Sequence, residues 1–139
     1  MVDQERIDRL LDRISSDIRE LQKLAVRGSD LLTDRTALAA TKYYFITAIE
    51  GCARVAQHLI ADKGWRVADS NADSVRRLAA EGVLTPELAE AVARAVGFRN
   101  ILVHEYAELD NHRVVANLDR LEDLRGFVTA VARWSNSRG

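Results

Sequence analysis

Residues 43–60 read YYFITAIEGCARVAQHLI, and this run determines which architecture the chain can adopt. On a helix, its apolar side chains cover far more than one narrow stripe. A helix that is apolar around so much of its circumference is usually central and contacts several neighbours. We therefore predict a long central helix that starts after Asp34, runs to about Lys63 and is closed by Gly64.

Amphipathic segments lie on both sides of this run. Apolar residues recur at steps of three and four between Ile7 and Leu24, which predicts a helix with one buried face. Thr85-Pro86 is a strong start signal, since a hydroxyl cap precedes proline at the first helical position. Besides the central helix, the predicted helices are one from Asp3 to Arg27 ended by Gly28, a short one capped by Asp69 or Asn71 and ended by Gly82, one from Pro86 towards Phe98, and one from about Asn117 to Trp134.

These segments predict an all-α fold in which residues 1–139 form a single domain, a bundle of four to five helices. The chain has 139 residues, of which 47% are hydrophobic and 29% charged, a balance that excludes a disordered protein. One proline and seven glycines fit long helices better than a turn-rich β fold. There is no internal repeat, low-complexity tract or linker.

Charge and cysteine content narrow the possible functions. Twenty basic and 21 acidic residues leave a net charge of −1, whereas proteins that coat nucleic acid without specificity are usually far more basic. Any contact with RNA should therefore depend on a few local cations. The one cysteine, Cys52, excludes an intramolecular disulfide and a cysteine-based zinc cluster. We expect no metal, no cofactor, no membrane span and a cytoplasmic location.

The segment from Arg99 to Tyr106, RNILVHEY, carries the reactive groups. It contains a permanent cation, an imidazole that titrates near neutral pH and a phenol. On a continuous helix Arg99 and His104 would diverge by about 140°. Joint action therefore requires either a helix that ends or distorts between them, which Gly97 upstream and the polar run 108–112 downstream favour, or a second copy of the chain. A structural role remains open and is the commoner one: Arg99 paired with an acid such as Glu105, and His104 in the core.

At these residues the chain resembles the HEPN superfamily, and within it the HepT-type toxins of two-gene toxin–antitoxin systems. Arg99, Asn100 and His104 match the superfamily signature of arginine, a polar residue, three further residues and histidine. Adding Tyr106 gives the narrower R-x₄-H-x-Y form of the HepT branch. The segment 43–52 on the central helix is also similar to that family, and the resemblance covers nearly the whole chain.

The resemblance implies a HEPN-like fold and a metal-independent endoribonuclease that works as a homodimer, with the two motifs facing each other. It implies the toxin of a type II/VII-like toxin–antitoxin pair, with Arg99 and His104 catalytic and Asn100 supporting. Such toxins are silenced by a minimal nucleotidyltransferase antitoxin that transfers AMP groups to the motif tyrosine, here Tyr106. RNA supplies its own nucleophile, the 2′-hydroxyl, and the near-neutral charge suggests a shaped substrate such as tRNA.

Two further residues and one rival function complete the expectations. Glu50, an acid on the apolar central helix, either pairs with Arg99, lines the site, or is an ordinary partly exposed acid. Arg113 could extend an RNA-binding surface, although a solvated loop is the better interpretation for it and for His112. The rival function is a non-catalytic HEPN module that binds a nucleotide or a nucleotidyltransferase partner through Arg99 and His104.

Overall fold

The computed structural model describes residues 3–106 and 108–138, and within these ranges the regular structure is helical. The prediction of an all-α bundle is confirmed, but the described residues form six α-helices rather than four or five. Their bounds are α1 Gln4–Ala25, α2 Arg35–Lys63, α3 Asn71–Ala80, α4 Pro86–His104, α5 Asn111–Asn117 and α6 Leu121–Arg138, with short 3₁₀ helices at Gly28–Thr33 and Leu118–Arg120.

Helix α2 is the centre of the bundle, as its broad apolar surface predicted. It contacts each of the other five described α-helices. Phe45, Ile49, Cys52 and Leu59 on α2 are all at most 3% exposed and belong to one continuous hydrophobic core. Burial raises the pKa of the Cys52 thiol, so this residue is a small packing element of the core.

Several helix ends lie where the sequence places them, whereas the last helix, predicted from about Asn117 to Trp134, is Leu121–Arg138. The side chains of Asp3, Asp34 and Thr85 accept hydrogen bonds from the first turns of α1, α2 and α4. Gly64 closes α2 with φ of 67°, a left-handed conformation that favours glycine. The prediction for α3 was wrong, because Ser70 is its N-cap and accepts a hydrogen bond from the amide of Asp73.

Helix α4 is longer than the sequence suggested, since it continues past Phe98 to His104. Gly97 does not interrupt it. Leu102, fully buried in the core, holds the extra turn against the bundle, and the amide of Glu105 still donates to the carbonyl of Ile101. Tertiary packing here outweighs the weak helix propensity of glycine. The predicted break therefore falls after the motif histidine and not between it and Arg99.

Two further differences from the predicted helices concern the end of α1 and the region after the motif. Helix α1 stops at Ala25, and Gly28, with φ of 56°, opens a 3₁₀ helix instead of ending α1. The polar region after the motif forms α5, because Asp110 caps its first turn and Val114 is buried beneath it. His112 and Arg113 thus lie on a short helix, and the interpretation of a solvated loop was wrong. None of the described helices is long and apolar enough to cross a membrane.

Candidate functional site

Arg99 points from α4 towards the central helix. Its Nη2 donates to Oε1 of Glu50, and its Nη1 donates to Oδ1 of Asn100 over 3.1 Å. The Arg99 side chain is only 19% exposed, whereas that of Glu50 is 40% exposed. Of the alternatives open for Glu50, the ion pair with Arg99 is therefore the one found. The guanidinium is held between α4 and α2 by a partly exposed partner, so an anion arriving from solvent can compete with Glu50.

His104 is the last residue of α4, and its side chain is exposed, so it is not a core histidine. Asn100 is exposed four residues earlier and lies on the same face of the helix. The Asn100 carbonyl oxygen contacts Arg99. Val103 lies between these two polar residues and is 42% exposed, an apolar group facing solvent within the motif.

The unbroken α4 rules out one of the two ways in which Arg99 and His104 could act together, namely a helix that ends or distorts between them. Arg99 and His104 share one continuous helix, so their side chains diverge by about 140° and are offset by roughly 7.5 Å along its axis. A distortion of the helix does not bring them together. The Arg99–Glu50 pair and the exposed His104 lie on different flanks of α4. Within one chain, the two side chains therefore do not face a common point where a phosphate could bind.

Tyr106 follows α4 in a turn and lies over α2. Nζ of Lys42 donates to the Tyr106 carbonyl oxygen over 3.3 Å and lies 4.5 Å from the centre of the ring. Lys42 is only 8% exposed, whereas Tyr106 is 43% exposed. Lys42 was not among the residues predicted from the sequence, although a lysine three residues before the buried Phe45 on the same helix face was a usable signal.

The structure does not place Arg113 with the motif. It lies on α5 and lines a separate cavity together with Arg94 and Arg120, and the lining of that cavity does not include Arg99 or His104. Arg94 and Arg120 were not singled out in the sequence. Within residues 3–106 and 108–138, no three histidine, cysteine, aspartate or glutamate side chains are grouped so that they could hold a metal ion.

Comparison with known families matches the one described as "Ribonuclease HepT-like" over residues 11–131. This range contains α2, the Arg99–Glu50 pair, His104 and Tyr106. The chain belongs to the HepT-like family. The expected membership of the HepT branch is thereby confirmed.

Individual relatives agree with this assignment. The mRNA nuclease HepT of Shewanella oneidensis is 29% identical over 115 residues, which cover 82% of this chain and 86% of that protein. A tri-AMPylated HEPN toxin of the same organism, solved in complex with its MNT antitoxin, superposes with a TM-score of 0.86 at 28% identity, covering 96% of this chain and 99% of that one. A toxin–antitoxin complex with AMP-PNP gives a TM-score of 0.85 at 26% identity, covering 91% and 97%.

Proposed function

We propose that this protein is the toxin of a type II/VII-like toxin–antitoxin pair, a metal-independent endoribonuclease that is active as a homodimer. The observation that carries the proposal is the uninterrupted α4, which sets Arg99, paired with Glu50, and an exposed His104 on different flanks of one helix. When two copies pack these flanks together, the Arg99 of each subunit lies near the His104 of its partner, and the dimer contains two complete sites. The ribonuclease name of the family and of the Shewanella relative supports the reaction class.

The chemistry follows from the residue types. The 2′-hydroxyl of RNA attacks the adjacent phosphorus, so an O2′–P bond forms and the P–O5′ bond breaks. His104 of one subunit accepts the 2′-hydroxyl proton, and the partner subunit's His104 donates a proton to the leaving 5′ oxygen. Arg99 exchanges its Glu50 partner for two phosphate oxygens and stabilises the dianionic phosphorane, while Asn100 orients the guanidinium. The products are a 2′,3′-cyclic phosphate and a free 5′-hydroxyl.

Tyr106 is the proposed switch. Tyr106 is exposed enough to be modified, and a nucleotidyltransferase antitoxin would attach AMP to its hydroxyl. The added phosphate brings negative charge beside the segment that must receive RNA. The AMPylated state of the Shewanella toxin supports this assignment.

The cleavage test uses purified protein, defined RNA and analysis of the new ends. We expect cleavage without added metal and in the presence of a chelator, with 2′,3′-cyclic phosphate ends. His104→Ala should abolish it, while His112→Ala, which removes a neighbouring exposed histidine outside the motif, should retain it. A tRNA and an unstructured mRNA fragment are compared side by side, because the near-neutral charge favours a shaped RNA whereas the Shewanella relative is named an mRNA nuclease.

Mixed dimers test the shared site. Wild-type and His104→Ala subunits carrying different tags are co-expressed and the heterodimer is isolated. If the two histidines divide the base and acid roles, the heterodimer loses most activity. Retention of half the wild-type rate contradicts the division of roles, and a protein that remains monomeric while cleaving RNA contradicts the composite site.

The rival function is a non-catalytic module that binds a nucleotide or the nucleotidyltransferase. Growth arrest on expression separates the two functions. Arrest that is lost in Arg99→Ala and His104→Ala supports the nuclease, whereas unchanged growth with intact binding of the antitoxin supports the module.

A further inference from the structure

A cavity of about 320 Å³ lies where α4, α5 and α6 meet over the central helix. Its outer wall carries the side chains of Arg94 on α4, Arg113 on α5 and Arg120 on the following 3₁₀ helix, and all three residues are exposed. We call it the arginine cavity. Three guanidinium groups from three separate helical segments therefore lie around one opening.

The base of the arginine cavity is apolar. Phe45 and Ile49 of α2 and Phe98 of α4 line it and are at most 5% exposed, so they lie at its depth. The rings of Phe45 and Phe98 pack edge to face with centres 5.3 Å apart, which fixes the shape of this floor. Cations at the mouth and a rigid aromatic floor are complementary to a ligand with a charged end and a flat apolar end.

The side chains of the three arginines of the cavity wall are not engaged in the ion pairs found among the described residues, so they can bind an anion. Ion pairs within the described residues engage other arginines of the chain, but none includes Arg94, Arg113 or Arg120. Glu90, one turn before Arg94, makes its ion pair with Arg76, and the charge of Arg94 acts on it without a direct contact. The acid on the cavity wall is Asp123, so three positive charges face one negative charge and the wall carries a formal excess of two. Such an excess matches a phosphate group.

We propose that the arginine cavity binds one nucleotide, with its phosphate on the guanidiniums and its base on the aromatic floor. Ligand pockets usually measure about 300–1,000 Å³, so this cavity suits a single small ligand rather than a folded segment. Where the nucleotide belongs to substrate RNA, the inference rests on the proposed function. The cavity is then a binding subsite separate from the Arg99–Glu50 pair.

The position of the cavity on α2 allows a second source for the nucleotide. Lys42, Phe45 and Ile49 follow at helical spacing on one face of α2, and Lys42 holds Tyr106. Tyr106 is therefore held about one turn of α2 away from Phe45 on the cavity floor, so an AMP attached to its hydroxyl is a candidate occupant. A nucleotide of the RNA and a tethered or free AMP share the same chemistry, and the experiment distinguishes them.

Binding is measured on the full chain in a His104→Ala background, so that RNA stays intact. The probes are AMP, followed by calorimetry, and a fluorescent single-stranded RNA of about eight nucleotides, followed by anisotropy. The test variant is Arg113→Gln with Arg120→Gln. The matched control is Arg19→Gln with Arg133→Gln, which removes two equally exposed arginines outside the cavity lining. Ala95→Leu, on the half-buried cavity wall, fills the space without changing charge.

We expect the test variant and Ala95→Leu to weaken binding at least tenfold and the control less than twofold. In the arginine variant, the slope of log affinity against log salt should fall by about 1 for each phosphate that no longer meets a guanidinium. Weakening of RNA alone identifies RNA as the source, and weakening of AMP alone identifies the mononucleotide. If neither probe responds more than in the control, the cavity proposal is overturned.

The two proposals fail separately. Cleavage by the otherwise wild-type protein that is unaffected by Arg113→Gln with Arg120→Gln, at unchanged KM, leaves the nuclease standing and overturns the RNA subsite. Conversely, a protein that never cleaves RNA but loses AMP binding in the cavity variants retains the cavity and loses the nuclease. Circular dichroism on each variant checks that the exposed substitutions leave the helical content unchanged.

Discussion

Lys42 makes a hydrogen bond and a cation–π contact with Tyr106, although the two residues are 64 positions apart in the chain. Its Nζ donates to the Tyr106 carbonyl oxygen over 3.3 Å and lies 4.5 Å from the centre of the ring. The lysine is 8% exposed, so these two contacts accompany the burial of its ammonium group. This contact fixes the position of the proposed AMP acceptor relative to the central helix.

Lys42→Met keeps the apolar stem and removes both contacts. A hydrogen bond and a cation–π contact are each worth about 1 kcal/mol, so the loss of both should slow AMP transfer to Tyr106 by roughly 30-fold. RNA cleavage should change by less than threefold. The measurement is a time course of added AMP by mass spectrometry in the presence of the cognate nucleotidyltransferase.

The control is Lys63→Met, since Nζ of Lys63 lies 5.5 Å from the ring centre of Trp134 at the far end of the same helix. It removes an equivalent cation–aromatic contact without touching Tyr106. Tyr106→Phe should accept no AMP and should still cleave RNA. Equal rates of AMP transfer to Lys42→Met and to the wild-type protein would show that the two contacts of Lys42 with Tyr106 do not affect the modification.

Arg99 is expected to need its planar fork and not only its charge. Arg99→Lys keeps a cation but cannot hold two phosphate oxygens in parallel, so the cleavage rate should fall by about 100-fold or more. Glu50→Gln should cost less than about tenfold, because the glutamine oxygen still accepts the hydrogen bond from Nη2. Arg54→Lys, at an exposed position on α2, is the control and should leave the rate unchanged. Steady-state cleavage of one RNA measures all three.

The sequence predicted the elements that depend on local patterns and missed those that depend on packing. Asp34, Gly64 and Thr85 mark their helix ends through backbone chemistry that a sequence displays directly. The end of α4 was misplaced because the burial of Leu102 is a tertiary effect that outweighs Gly97 upstream. The short α5 was predicted to be a loop, since only its buried Val114 separates a seven-residue helix from a polar turn.

The same division applies to the site. The motif residues were predicted from their match to the family signature, and the pairing of Arg99 with Glu50 was one of the alternatives open. The choice among those alternatives required the geometry of two helices, because the two residues are 49 positions apart in the chain. The arginine cavity was not predicted, because Arg94, Arg113 and Arg120 belong to three segments with no shared pattern.

Gly51 allows the close approach of α1 to α2. A Cβ at this position would lie 2.6 Å from Cγ1 of Ile14, a core residue that is 1% exposed. Gly51→Ala should therefore lower the free energy of unfolding by about 1–3 kcal/mol. Gly126→Ala is the matched control, because its Cβ would meet Leu88 at an ordinary 3.4 Å and alanine favours the helix by up to about 1 kcal/mol. Chemical denaturation measures both, and equal effects would contradict the close approach.

Asp17 makes stability depend on pH through burial. Its side chain is 8% exposed, and Oδ2 accepts a hydrogen bond from the Thr47 hydroxyl over 2.6 Å. Burial raises the pKa of the carboxyl above its ordinary 3.8, and the Thr47 bond and the charge of Arg13 only partly oppose this. As pH rises from 3.8 through the raised value, the folded state holds a proton that the unfolded state has lost, so the free energy of unfolding falls.

Asp17→Asn keeps an oxygen that accepts the Thr47 hydrogen bond and cannot ionise. We therefore expect its stability relative to the wild-type protein to be greater at pH 7 than at pH 3, where the wild-type carboxyl is protonated in the folded state. Urea unfolding at intervals between pH 3 and pH 7 measures the difference. Asp12→Asn, on an exposed position of the same helix, is the control for the general effect of removing one negative charge. A difference between Asp17→Asn and wild type that is constant across this range, or that matches the Asp12 control, would mean that the buried carboxyl does not govern the pH response.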